Sequence, residues 1–174
     1  MAAIPPPGPE RDEALMRLAL DEAHRAAALG EVPVGAVVYR LDDGQVLATA
    51  HNLRENDADP TAHAEVLALR AAAANRGVWR LETCGLVVTL EPCPMCAGAI
   101  VNARLGELVY GAADPNMGCV DSLHTLCAEP RFNHRLPHRS GVLADECAQI
   151  LKTFFAARRG QKMSPAKPRP RPDE

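Results

Sequence analysis

The sequence is poor in aromatic residues, with one Trp, two Tyr and three Phe among its 174 residues. A core must therefore be built mainly from Ala, Val and Leu, and a platform on which many bases stack is not expected. The chain also lacks an apolar run of the roughly 18–20 residues that a membrane span needs. Residues 1–10 are proline-rich and do not resemble a signal peptide. We therefore expect a cytoplasmic protein without a membrane segment.

Cysteine is also sparse, with six residues in a chain of this length. That is not the dense pattern of a small disulfide scaffold, so metal ligands or core residues are the expected roles. The hydrophobic fraction of 47% and the charged fraction of 24% are typical of one globular domain.

Prolines and basic residues gather at the ends of the chain. Eight of the 15 prolines lie within residues 5–9 and 165–172. We expect a disordered N-terminus over residues 1–11, a folded domain over 12–160 and a disordered basic tail over 161–174. Residues 156–174 carry a net charge of +4 on a chain of net charge −3. This end is either a phosphate-contacting element or a solvated tail.

Hydrophobic spacing predicts alternating helices and strands. An Asp-Gly turn joins two strands at 34–39 and 45–50, and Asp59 with Pro60 is expected to start a helix that ends before Gly77. The other predicted elements are helices at 12–29, from the Cys93 segment to about 103 and at 143–159, with strands at 84–90 and 107–111. This order predicts helices covering a mixed sheet in an α/β or α+β fold.

One constellation carries chemistry: His63-Ala64-Glu65 at one predicted helix start and Pro92-Cys93-Pro94-Met95-Cys96 at another. One His and two Cys are ligands that zinc favours, and three protein ligands leave a fourth position for water, as in catalytic sites. His63 and Glu65 lie about 200° apart on an ideal helix, but at a first turn both can reach one point. Glu65 would then carry protons.

Two other interpretations of the cysteine pair stay open. A Cys-x-x-Cys pair can be a redox centre, which needs neither His63 nor Glu65. It can also be half of a structural four-ligand zinc site. The fourth ligand would then come from Cys84, Cys119, Cys127, Cys147, His51 or His124.

The H-x-E and P-C-x-x-C segments match the signature of zinc-dependent base deaminases, whose mechanism is well described. Further segments resemble the bacterial tRNA-specific adenosine deaminases over about residues 12–160. They are Glu31-Val32-Pro33-Val34-Gly35-Ala36, Asp59-Pro60-Thr61-Ala62-His63, Thr89-Leu90-Glu91, Met95-Cys96-Ala97-Gly98-Ala99, Phe132-Asn133-His134-Arg135 and Gly141-Val142-Leu143-Ala144-Asp145-Glu146-Cys147. The resemblance implies a three-layer α/β/α, cytidine-deaminase-like fold with a five-stranded mixed sheet and helices on both faces.

The resemblance also implies a function: a homodimeric hydrolase, with one Zn²⁺ per subunit, that converts adenosine to inosine at the wobble position of a tRNA anticodon stem-loop and releases ammonia. His63, Cys93 and Cys96 would hold zinc, and Glu65 would move protons. Asn52 and Ala64 would contact the base, although Asn52 could merely satisfy a turn. Asn133, Arg135, Phe155, Arg158 and Arg159 would contact the RNA.

The sequence departs from the family pattern at Asn116 and Asp121. A carboxylate at position 121 would repel nearby phosphate. The alternative functions are a deaminase of a free guanine- or cytosine-type base and a non-catalytic zinc or RNA-binding module. The basic C-terminal end favours a nucleic-acid substrate over a small neutral base, and a non-catalytic module would not need Glu65.

Overall fold

The computed structural model describes residues 4–160, and it contains the predicted helices and strands with one additional short strand. The elements are α1 Pro9–Ala28, β1 Gly35–Arg40, β2 Val46–His51, α2 Ala64–Arg76, β3 Cys84–Leu90, α3 Pro94–Asn102, β4 Glu107–Ala112, β5 His138–Arg139 and α4 Ala144–Gly160, with a 3₁₀ turn at Leu126–Ala128. Within these residues, no helix is both long and apolar enough to cross a bilayer.

The strands form one mixed sheet in the order β2-β1-β3-β4-β5. Strand β1 pairs antiparallel with β2 and β3, and β3, β4 and β5 run parallel. The hairpin and the central strand β3 lie where the sequence predicts them. The family resemblance implies five strands, but the sequence pattern locates only four of them, because the two residues of β5 are too few to show a period.

Helices cover both faces of the sheet, which confirms the three-layer fold. Side chains alternate along each strand, so Val38 and Leu86 pack with α2 and α3. Val37 and Val87 face the opposite way and pack with α1 and α4. The four cysteines outside the Cys-x-x-Cys pair are all buried: Cys84, Cys119, Cys127 and Cys147.

Helix α1 begins at Pro9, three residues before the predicted domain boundary. Arg11 is only 4% exposed, and its guanidinium donates to the Leu41 carbonyl at 2.8 Å and to Glu107 Oε1 at 3.0 Å. Residues 9–11 thus belong to the folded domain, because this long-range pairing holds the first turn in place. Residues 1–3 and the predicted tail at 161–174 lie outside the described residues.

Helix α2 begins at Ala64, so the predicted start at Asp59 is wrong. The Asp59 carboxylate instead accepts hydrogen bonds from the backbone N–H and the hydroxyl of Thr61, both at 2.7 Å, in a local turn. The predicted end is confirmed, since Gly77 caps the helix in the left-handed conformation. As a consequence His63 becomes the N-cap and Glu65 lies in the first turn.

Candidate active site

Three side chains meet where helices α2 and α3 begin. His63 is the N-cap of α2, Cys93 is the N-cap of α3, and Cys96 lies in the first turn of α3. Their ligand atoms all lie within 4.8 Å of one another. His63 Nδ1 is 3.6 Å from Cys96 Sγ and 3.8 Å from Cys93 Sγ. The sequence-predicted ligand set is thus brought together.

These distances fit a tetrahedral zinc ion. Bond lengths of about 2.3 Å to sulfur and about 2.0 Å to nitrogen separate the two ligand atoms by about 3.6 Å. Among residues 4–160, this is the one group of three or more His, Cys, Asp or Glu residues with such spacing. Within the part of the chain that the structure describes, no fourth such ligand joins it. The residues considered for a fourth ligand, which are Cys84, Cys119, Cys127, Cys147, His51 and His124, stand outside the group.

The pKa values of the two cysteines are shifted in opposite directions. Cys96 donates a hydrogen bond to the Cys93 sulfur, and His63 also bonds to it, which lowers the pKa of Cys93 to about 4. The same bond from Cys96, together with burial, raises the pKa of Cys96. Thiolate at neutral pH is the form that binds a divalent cation, and binding releases the remaining proton.

Glu65 lies beside this group and is not part of it. Its carboxyl is 4% exposed and lines the same cavity as His63 and Cys93. Burial raises the pKa of Glu65 above its ordinary value of 4.5. A buried carboxyl with a raised pKa can both accept and donate a proton near neutral pH.

The cavity has a volume of about 230 Å³. This is below the range of pockets for drug-sized ligands and suits a single small ring system. Polar and apolar residues share its wall. They are Val32, Val34, Asn52, Arg54, His63, Ala64, Glu65, Leu90, Glu91, Cys93, Asp114 and Met117.

Asn52 lines this cavity and is 5% exposed. Its Nδ2 donates to Glu31 Oε2 at 3.0 Å. Glu31 is fully buried and also accepts hydrogen bonds from the backbone N–H groups of Glu55 and Asn56. Glu31 begins one of the segments that resemble the family, and the sequence alone predicts no role for it.

Glu91 also lines the cavity and organises the loop that follows β4. Its carboxylate accepts hydrogen bonds from the Ser122 hydroxyl and from four backbone N–H groups, those of Asp114, Val120, Asp121 and Ser122. Burial opposes ionisation, but the bonds from Ser122, Asp121 and Asp114 outweigh it and lower the pKa of Glu91 to about 2. The loop carrying Asp114 and Met117 to the cavity is therefore fastened to one carboxylate.

The two departures from the family pattern lie in or beside this loop. The Asp121 carboxylate accepts hydrogen bonds from the Tyr110 hydroxyl at 2.5 Å and from His138 Nε2 at 2.9 Å. These hydrogen bonds stabilise the Asp121 charge within the protein, which reduces the repulsion expected toward phosphate. Asn116 donates its backbone N–H to Asp114 Oδ1 at 2.9 Å.

The residues predicted to contact RNA lie away from the cavity wall. Asn133 and Arg135 are exposed in the segment before β5, and Phe155 is 43% exposed on α4. Arg158 donates to the Gly30 carbonyl at 2.7 Å and lies over the Phe154 ring. Arg159 is exposed. Ala64, in contrast, lines the cavity.

Comparison with known proteins adds independent findings. Residues 10–159 match the family model of MafB19-like deaminases. The chain is 47% identical over 157 residues to a tRNA-specific adenosine deaminase of Bacillus subtilis, covering 90% of this chain and 96% of the relative. A solved structure from work on A-to-I editing by tRNA deaminases at the wobble position of transfer RNA superposes with a TM-score of 0.76 at 43% identity. That match covers 79% of this chain and 99% of the other.

A guanine deaminase from Nitrosomonas europaea is also similar in structure. Its TM-score is 0.69 at 26% identity, and the match covers 88% of this chain and 87% of the other. The fold and the deaminase chemistry are therefore common to proteins that act on different substrates.

Proposed function

Because this chain belongs to the tRNA-specific adenosine deaminase family, we propose that it hydrolyses adenosine to inosine at the wobble position of tRNA and releases ammonia. The observation that carries the proposal is the meeting of His63, Cys93 and Cys96 with the Glu65 carboxyl at one small cavity. A redox role for the Cys93 and Cys96 pair would not explain why His63 and Glu65 lie beside it.

His63, Cys93 and Cys96 would hold one zinc ion. Zinc in a site with three protein ligands lowers the pKa of water to about 7, which provides a nucleophile at neutral pH. The donor set and the sulfur–nitrogen distances support this assignment.

Glu65 supplies proton transfer. Its buried carboxylate takes a proton from the attacking water and gives it to the ring nitrogen N1 of the adenine, and a second proton reaches the departing amine. The net reaction consumes one water and releases one ammonia. The raised pKa of Glu65 supports this role, because a general acid–base group works best near the operating pH.

The cavity wall orients the base. The Asn52 amide can donate to and accept from a purine edge, and Ala64 at the start of α2 provides a close apolar contact. We assign the RNA rim to Asn133, Arg135, Phe155, Arg158 and Arg159, which lie on exposed segments outside the cavity. The substrate would be the anticodon stem-loop, with the wobble base flipped into the cavity.

The family resemblance further supports a homodimer that works in the cytoplasm. Met117 and Leu123 are apolar side chains 52% and 51% exposed in the loop beside the cavity. A partner subunit would cover such residues. Sedimentation equilibrium tests the dimer directly.

Deamination of a free base is the second candidate. The structural similarity to a guanine deaminase favours it, and a cavity of about 230 Å³ could hold a lone base. The exposed Arg159 and Arg135 favour the RNA substrate, because a neutral base offers them no phosphate.

One experiment separates the two candidates. Zinc-loaded protein is incubated with an anticodon stem-loop carrying adenosine at the wobble position and, separately, with guanine, cytosine and adenosine, and both inosine and ammonia are measured. Inosine in the stem-loop alone supports tRNA editing. Ammonia from a free base alone supports the second candidate, and ammonia from no substrate contradicts both.

Glu65→Gln is the matched variant in this experiment. It preserves the shape of the side chain but removes the proton acceptor, so turnover should fall by at least about 100-fold while zinc stays bound. Glu107→Gln, at the opposite end of the sheet, serves as the control and should keep wild-type turnover. Activity retained in Glu65→Gln would contradict the role of Glu65.

A further inference from the structure

Glu31 is a fully buried carboxylate with four hydrogen-bond donors around it. Two are Asn52 Nδ2 at 3.0 Å and the Glu55 backbone N–H at 2.8 Å. The other two come from Asn56, its backbone N–H at 2.7 Å and its Nδ2 at 2.9 Å. All four donors lie in the segment that follows strand β2. One side chain therefore fastens the beginning of the loop that leads to His63.

The bond to Glu31 determines how Asn52 is oriented. An ionised carboxylate only accepts hydrogen bonds, so the amide nitrogen of Asn52 must face Glu31. The amide oxygen and the second N–H of Asn52 can then serve a bound base, since Asn52 lines the cavity. A free asparagine amide could turn over and exchange the positions of its donor and acceptor. Glu31 removes that freedom.

Glu31 also fixes the path of the loop. Its backbone partners Glu55 and Asn56 follow Arg54, which lines the cavity. Two residues further on, Ala58 has a φ of 51°, in the left-handed region that a residue with a side chain rarely occupies. Such a conformation persists only where neighbouring contacts hold it. The Asp59 N–H bond to the Arg54 carbonyl at 3.2 Å spans Ala58, and the bonds to Glu31 hold the residues just before it.

We propose that Glu31 is a positioning residue for the deamination, which fixes the Asn52 amide in the single orientation that the base requires. Glu31 is not among the residues that line the cavity, so it acts through Asn52. The proposal rests on the proposed function for its substrate, but the orientation of Asn52 is a property of the protein alone.

The first test needs neither a variant nor a substrate. Hydrogen exchange of side-chain amides is followed by NMR in the zinc-loaded wild-type protein. The Asn52 Nδ2 proton that bonds Glu31 should exchange at least about tenfold more slowly than those of the exposed Asn102, because the buried bond to Glu31 must open first. Equal exchange rates for Asn52 and Asn102 would overturn the proposal.

The second test is a double-mutant cycle on the anticodon stem-loop. Glu31→Gln replaces one acceptor oxygen with a donor, and kcat/KM should fall by about tenfold or more. Asn52→Ala should lower kcat/KM by at least as much. The double variant should match Asn52→Ala within about twofold, because Glu31 has no further effect once the amide is gone.

The matched control is Glu107→Gln. Glu107 also bonds several partners, namely Arg11, Tyr39 and Arg139, but it lies at the other end of the sheet. This variant should lose stability and keep wild-type kcat/KM. It therefore shows whether destabilisation alone lowers kcat/KM, or whether the Asn52 amide must be misplaced. Wild-type kcat/KM in Glu31→Gln, or a double variant whose loss is the product of the two single losses, would overturn the proposal.

Failure of the proposed function has a different signature. If the wild type forms no inosine but deaminates a free base, the same cycle is measured on that base, and the role of Glu31 is decided there. If the wild type deaminates nothing, the proposed function fails, and the exchange rate of Asn52 still decides whether Glu31 fixes its orientation.

Discussion

Arg139 and Asp12 form a two-bond ion pair that fastens the edge strand β5 to helix α1. The Nε–Oδ2 distance is 2.6 Å and the Nη2–Oδ1 distance is 3.0 Å. Asp12 is 3% exposed, and Arg139 also donates to Glu107. A strand of two residues has few backbone bonds of its own, so the side-chain pair holds it against the sheet.

Arg139→Ala should lower the free energy of unfolding by about 1–3 kcal/mol. The change leaves the buried Asp12 carboxylate without its main partner, and the partial exposure of Arg139 keeps the loss below that of a fully buried pair. Urea unfolding followed by circular dichroism measures it. Arg80→Ala, which removes a pair exposed on both sides and a contact with the Trp79 ring, should cost less than about 1 kcal/mol. Equal stabilities of the two variants would contradict the importance of the Arg139 pair.

Strand β5 also shows where the sequence could not predict the fold. The longer elements have apolar periods that identify them, and strand β3 at Cys84–Leu90 lies where its run of apolar residues predicts it. The position of β5 depends on Arg139 and Asp12, which are 127 residues apart. A contact of that separation leaves no local pattern. The start of α2 has a local signal that allows two structures. An Asp side chain can accept hydrogen bonds at a helix N-cap or in a turn, and Asp59 accepts them in a turn.

The pH dependence of stability should report on Glu107. Burial opposes its ionisation, but hydrogen bonds from Arg139 and Tyr39 outweigh it and lower the pKa below the ordinary value of 4.5. A depressed pKa in the folded state contributes stability above about pH 4.5, and this stability is lost as the pH falls through the folded value.

Glu107→Gln removes that contribution at every pH. The free energy of unfolding of the wild type should therefore exceed that of the variant by about 1–3 kcal/mol between pH 6 and 8. This difference should shrink as the pH falls from about 5 to 3. Urea unfolding of both proteins across this range provides the measurement. Effects common to both proteins, including loss of metal in acid, cancel in the difference. A difference that stays constant down to pH 3 would show that Glu107 does not titrate with a depressed pKa.

The candidate site was predictable to the extent that its residues are close in sequence. His63 and Glu65 are two residues apart, and Cys93 and Cys96 are three apart, so the spacing itself identifies them. Glu31 has partners 21 to 25 residues away. Two of its four bonds come from backbone N–H groups, which every residue except proline possesses. Its role therefore appears only once the chain is folded.

Removal of one thiol should test the metal site. We expect about one zinc per chain in the wild type and far less in Cys96→Ala, since two remaining ligands hold zinc weakly. Elemental analysis of purified protein measures the content. Cys147→Ala is the control, because this buried cysteine packs on the α1 and α4 face of the sheet and should leave zinc unchanged. Full zinc occupancy in Cys96→Ala would contradict the assigned ligands.

The two arginines at the end of α4 should differ in what they contribute. Arg158 bonds the Gly30 carbonyl and lies over the Phe154 ring, so its removal should lower both stability and RNA affinity. Arg159 is exposed, and Arg159→Ala should weaken stem-loop binding without changing stability.

Salt dependence identifies a phosphate contact by Arg159. Loss of one contact should reduce the slope of log K against log salt by about 0.7–0.9, and the effect should be the same for stem-loops of different sequence. Fluorescence anisotropy at several salt concentrations measures the slope. Arg80→Ala is the control, because Arg80 follows the C-terminal end of α2, whereas the cavity lies at the N-terminal end of that helix. An unchanged slope for Arg159→Ala would remove Arg159 from the RNA rim and leave the deaminase site itself unaffected.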